Sequence, residues 1–77
     1  MKIRLGLRLR DILGEYIVME IRGCISYDEF LKKLGEVVGA VASVDELTIV
    51  KNGVGLAKDS LVCEDDEVVV LPSVSGG

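Results

Sequence analysis

"EVVVLPSVSGG", Glu67–Gly77, is the stretch from which the rest of the chain can be placed. Val68 to Leu71 are apolar at every position, so the segment is expected to be a strand. Laid beside the first strand of the chain, it is central in a sheet and parallel to that strand. Val68 and Val70 are then expected to face a helix, with Val69 and Leu71 on the opposite side. Pro72 restricts the exit from the strand. Ser73, Val74 and Ser75 can extend beyond it, and Gly76 and Gly77 close the stretch without a Cβ between them.

The other elements read outward from that strand. "KIRLGLRLR", Lys2–Arg10, alternates strictly, with Ile3, Leu5, Leu7 and Leu9 on one side and charged residues or Gly6 on the other. This predicts one continuous strand with one buried face. "DILG" turns the chain at Gly14, and "EYIVMEI", Glu15–Ile21, predicts a second strand forming an antiparallel hairpin with the first. Gly23 breaks that strand. "SYDE", Ser26–Glu29, has the spacing of a capping box. After it, Tyr27, Phe30, Leu31, Leu34 and Val38 form an apolar stripe at helical spacing, and Gly39 is expected to end the helix. "LTIVKNG" predicts a strand closing on an Asn52-Gly53 turn. A short-strand region follows, in which Leu61 and Val62 are expected to fill the core. Strand, strand, helix, strand, short strand, strand makes a two-layer α+β domain in which a mixed sheet wraps one helix.

Seventy-seven residues make one domain with a small core, burying roughly 60% of the surface of the unfolded chain. A cleft holding several catalytic side chains is not expected in it. The chain is 49% hydrophobic with no Trp and one Phe, so the core is aliphatic. A net charge of −4 speaks against nucleic acid as a partner. The charge is uneven: Lys2, Arg4, Arg8 and Arg10 open the chain, and Glu64–Glu67 is an acidic run. Each patch is either a solvated edge or a surface that orients a partner. The absence of His excludes histidine-based acid–base and triad catalysis. Cys24 and Cys63 are isolated, which argues against a zinc site. The opening residues do not read as a signal peptide, and no apolar run approaches the about 20 residues that span a bilayer. The expectation is a cytoplasmic protein with both cysteines reduced and no membrane contact.

Three segments resemble one family. "LRDILG", Leu9–Gly14, is similar to a Leu-Arg-x-Leu-Leu-Gly turn after strand one. "DDEVVVLP", Asp65–Pro72, is similar to a Gly-Asp-Glu-Val lead into the last strand. "PSVSGG", Pro72–Gly77, resembles a terminal Pro-Pro-Val-Ser-Gly-Gly. These are features of the MoaD/ThiS sulfur carriers, and within them of the small subunit of molybdopterin synthase. Ser73 stands in place of a second proline, and Asp65 in place of the loop glycine, a position where Asp tolerates positive φ better than most residues.

The resemblance implies a ubiquitin-like β-grasp fold, with a mixed four- to five-stranded sheet packed on one main helix. It implies a domain over residues 1–72 and a flexible tail over 73–77. The reacting group is then the carboxylate of Gly77. A ubiquitin-activating-enzyme-like adenylyltransferase adenylates it with ATP, and a sulfur donor converts it to a thiocarboxylate. The chain itself binds no cofactor. The large synthase subunit receives the tail, contacting Pro72, Ser73, Val74, Ser75 and Gly76. This chain is then a sulfur-donating subunit that supplies no catalytic side chain. Val69, Leu71, Arg4 and Arg8 are the expected partner interface on the open sheet face. Conjugation of Gly77 to protein lysines, sulfur delivery to tRNA or thiamine, and a β-grasp domain without covalent chemistry are the alternatives.

Overall fold

The computed structural model describes residues 1–39 and 46–72. The elements run β1 (Lys2–Leu5), α1 (Leu7–Leu13), β2 (Tyr16–Val18), β3 (Cys24–Ser26), α2 (Tyr27–Val38), β4 (Leu47–Lys51), β5 (Val54–Gly55), β6 (Leu61–Cys63) and β7 (Val68–Pro72). One mixed sheet has the order β2-β1-β7-β4-β5, and β3 with β6 forms a separate two-stranded ladder. β7 is the middle strand, parallel to β1 as expected, and its other neighbour is β4, to which it is antiparallel.

α2 begins where the capping spacing places it, with the Ser26 hydroxyl oxygen accepting from the Glu29 amide at 3.2 Å. Its stripe works as a stripe: Phe30, Leu34 and Val38 are fully buried. They meet Ile3 and Leu5 of β1 and Val68 and Val70 of β7 in one core. Val62 enters the same core from β6, whereas its neighbour Leu61 faces outward, half of the pair expected to fill it. Asn52 and Gly53 both take positive φ, 51° and 84°, the conformation of a tight hairpin turn between β4 and β5. This is the β-grasp arrangement.

Three expectations are corrected. The first strand stops at Leu5, and the remainder of the alternating run is helix. Leu7 sits at φ 53° and swings the chain off the sheet. Thereafter Leu9 and Leu13, four apart, turn toward the core while Leu7 and Ile12 are exposed. Period two and spacing four both select Leu9, so the run fits either structure. The Gly6 amide donates to the Val70 carbonyl at 3.1 Å, and a Cβ at Gly6 would collide with the Leu71 side chain on β7. Second, the strand expected over Glu15–Ile21 is β2 and ends at Val18, and a further short strand, β3, follows Gly23. Third, the cysteines are not free. Cys24 and Cys63 are register partners in the β3–β6 ladder, their Cα atoms 3.9 Å apart, and they are joined by a disulfide across 39 residues of sequence. Neither the spacing of the two residues nor the lack of a Cys-x-x-Cys motif carries that pairing; the ladder creates it. Among the described residues, no helix is long and apolar enough to cross a membrane.

Candidate functional site: the outer sheet face and the exit of β7

β7 divides its side chains cleanly. Val68 and Val70 are 2% and 0% exposed against α2, and Val69 and Leu71 lie half-buried on the other face. Register then assembles that outer face. Val69 is beside Arg4 on one side and Val50 on the other, and Tyr16 is beside Arg4. Thr48 flanks Leu71. Of the four expected interface residues, Val69, Leu71 and Arg4 come together here. Arg8 does not: it is carried off the sheet on α1, for the reason that ends β1 at Leu5.

Residues outside that expected set complete the surface. Tyr16 and Val18 on the edge strand are 49% and 69% exposed. The Lys2 ammonium stands 4.6 Å from the centroid of the Tyr16 ring, a cation–π contact that positions both. Lys2, Arg4 and Tyr16 form one wall of a groove of about 410 Å³ whose other wall is the acidic run Glu64–Glu67. The alternating charge of β1 and the acidic run were the sequence signals for these walls; that they flank one groove follows only from β1 pairing with β7.

Asp66 fixes the acidic loop. Its carboxylate accepts from the Cys63 amide at 2.8 Å and from the Asn52 side-chain amide at 3.1 Å, with the Lys51 ammonium at 3.9 Å. The Cys63 hydrogen bond, then the Asn52 bond, hold the carboxyl below its ordinary pKa; burial opposes them, and the Lys51 charge adds the smallest lowering. Asn52 in turn accepts from the Glu67 amide at 2.9 Å. The β4–β5 turn and the lead into β7 are thereby one unit. Asp65 does not take positive φ. The turn is held by the side chain of Asp66, not by a glycine-like conformation at Asp65. Glu64, Asp65 and Glu67 are left on the surface.

The sequence has no His, and its two cysteines are joined by the disulfide. Pro72 is half-buried at the last position of β7, paired with Leu47. Ser73, Val74, Ser75, Gly76 and Gly77, the expected tail and reacting end, lie outside the described residues.

No protein-family model matches the chain. No curated protein matches it. The structure is similar to the crystal structure of SAMP1 from Haloferax volcanii, with a TM-score of 0.72 and 21% sequence identity over 99% of this chain and 97% of that one. At that identity the likeness carries the fold: a ubiquitin-like β-grasp.

Proposed function

We propose that this chain is a ubiquitin-like sulfur carrier and, more narrowly, the small subunit of a molybdopterin synthase. The observation that supports it most is the join at Pro72. The central strand of a β-grasp domain leads there directly into Ser-Val-Ser-Gly-Gly, so a segment without bulky side chains issues from the best-anchored strand of the fold. The outer face beside that exit supplies Val69, Leu71 and Arg4 for docking.

The chemistry follows from the tail. A carboxylate is a poor electrophile, so the Gly77 carboxylate attacks ATP on an activating adenylyltransferase, forming an acyl adenylate and releasing pyrophosphate. A sulfur nucleophile adds to the carbonyl, AMP leaves with the bond electrons, and a thiocarboxylate remains. Its sulfur passes to a pterin precursor on the large subunit. Gly76 and Gly77 leave the carbonyl carbon open to attack and let the backbone enter a narrow channel. The domain contributes a rigid grip and the partners contribute catalysis.

Mass spectrometry of the chain after incubation with ATP, an adenylyltransferase of this class and a sulfur donor tests the proposal. Exchange of one oxygen for sulfur at Gly77 is expected, and removal of Gly77 is expected to abolish it without unfolding the domain. An unmodified Gly77, or sulfur transfer retained after its removal, defeats the sulfur-carrier reading. Gly-Gly remnants on lysines of other proteins instead assign the chain to protein modification.

A further inference from the structure

The outer groove holds opposite charges that do not satisfy each other. Arg4 lies beside Val69 in register, and Lys2, two residues earlier on the same strand, lines the groove together with Glu67. Ion pairs among the described residues join Arg10 to Glu15 and Lys51 to Asp66, and none involves Lys2, Arg4, Glu64, Asp65 or Glu67. Lys2 is turned toward the Tyr16 ring, which leaves Arg4 as the available cation of the groove. Glu67 is held in place from behind, its backbone amide and carbonyl both bonded to Asn52. A surface with a basic wall, an apolar floor at Val69 and an acidic wall calls for a partner carrying the same three features in reversed order. A second copy of this chain carries them.

We propose that the outer sheet face associates with itself through a two-fold axis lying in the plane of the face between Arg4 and Glu67. Such an axis sets Arg4 of each copy against Glu67 of the other and brings Val69 close to its own symmetry mate; it also brings the two Lys2 residues near each other, a repulsion opposed by the contact of each ammonium with its own Tyr16 ring. The contact is isologous and closes at two copies. It covers Val69 and Arg4, which the sulfur-carrier reading gives to the activating and receiving partners. Self-association therefore holds the docking face shut until a partner displaces the second copy. The net charge of −4 on each chain opposes the approach of two copies, so the local match has to outweigh it, and the pair is weak and readily exchanged.

Sedimentation analysis of the whole chain, at concentrations up to about 1 mM, reads the association directly. The wild type is expected to shift from monomer to dimer in that range. Arg4→Glu and Glu67→Lys, each alone, place like charges in both contacts and are expected to weaken association by about tenfold or more. An equimolar mixture of the two variants regenerates both attractive contacts in a heterodimer, as does the double variant in a homodimer, and both are expected to recover wild-type association. The mixed pair carries the same total charge as the wild-type pair, so recovery cannot come from net charge. Circular dichroism of each variant confirms that it is folded. A wild type that stays monomeric throughout, or an association indifferent to these reversals, overturns the proposal. No ATP or activating protein is used, so such a failure leaves the sulfur-carrier reading as it stood.

Discussion

Cys24→Ser removes the bond between β3 and β6, and its effect can be worked from the structure. Cys24 is exposed, so serine buries no hydroxyl there; Cys63 is half-buried and its amide supports Asp66, which makes it the poorer site. The bridge closes a loop of 39 residues. Constraining the unfolded chain by a loop of that length removes about 13 cal/mol/K of entropy, or about 4 kcal/mol at 25 °C. A domain of this size is stable by roughly 4–12 kcal/mol in total, so the loss is a third of it or more. At about 4–8 °C per kcal/mol, Tm falls by about 16–32 °C. The chain has no Trp, so urea unfolding is best followed by far-ultraviolet circular dichroism. The oxidised wild type is expected to unfold at a higher midpoint than Cys24→Ser, with a smaller m-value, because the bridged unfolded chain exposes less surface. The wild type in dithiothreitol is expected to match the variant. Two titratable thiols in the denatured, unreduced protein, or equal midpoints with and without reductant, would refute the covalent tie and restore the expectation of two free cysteines.

Other perturbations address the remaining parts of the fold. Gly6→Ala places a Cβ against the far end of the Leu71 side chain, which can turn aside, and is expected to cost about 1 kcal/mol or less in urea unfolding, with Gly6→Ala/Leu71→Ala less destabilised than the sum of its two changes. Phe30→Ala empties the centre of the core and is expected to cost about 3–5 kcal/mol, enough to leave the reduced protein largely unfolded in a thermal scan. Ser26→Ala removes the cap of α2 and is expected to cost about 1 kcal/mol. Asp66 is held below its ordinary pKa of 3.8, so its contribution is complete above that value and is lost as pH falls through the lowered one. Acid titration of stability is expected to show a shallower decline in Asp66→Asn than in the wild type; parallel curves would remove Asp66 from the account.

Much of the fold is legible in residue order because local and global signals agree. The run Val68–Leu71, the Ser26–Glu29 cap and the Asn52-Gly53 turn each name one structure, and the sheet accepts all three. The run Lys2–Arg10 misleads for a physical reason. An alternating apolar pattern that also has leucines four apart satisfies a strand and a short helix alike, and nothing within the run separates the two. The disulfide and the Asp66 network were hidden as well. Each joins residues that become neighbours only after the strands have paired, and nothing in the composition of either segment marks the other.

That distance-dependence explains how the candidate site is divided. The proposed reacting end is a local feature of the sequence, since two glycines after a proline are read from residue order without any tertiary neighbour. The docking face is a collective property. Arg4 lies on β1, and Val69 and Glu67 on and just before β7, segments more than sixty residues apart that meet only through parallel pairing. Val68 and Val70 anchor the same strand in the core, alternating with the residues that face out. Changes at Val69 or Arg4 can therefore alter recognition while the buried pair keeps β7 in place, and changes at Val68 or Val70 cannot be read as recognition at all. Recognition and stability are separable on this strand because the two sets alternate along it, and the strand that presents the face is the one that carries the tail.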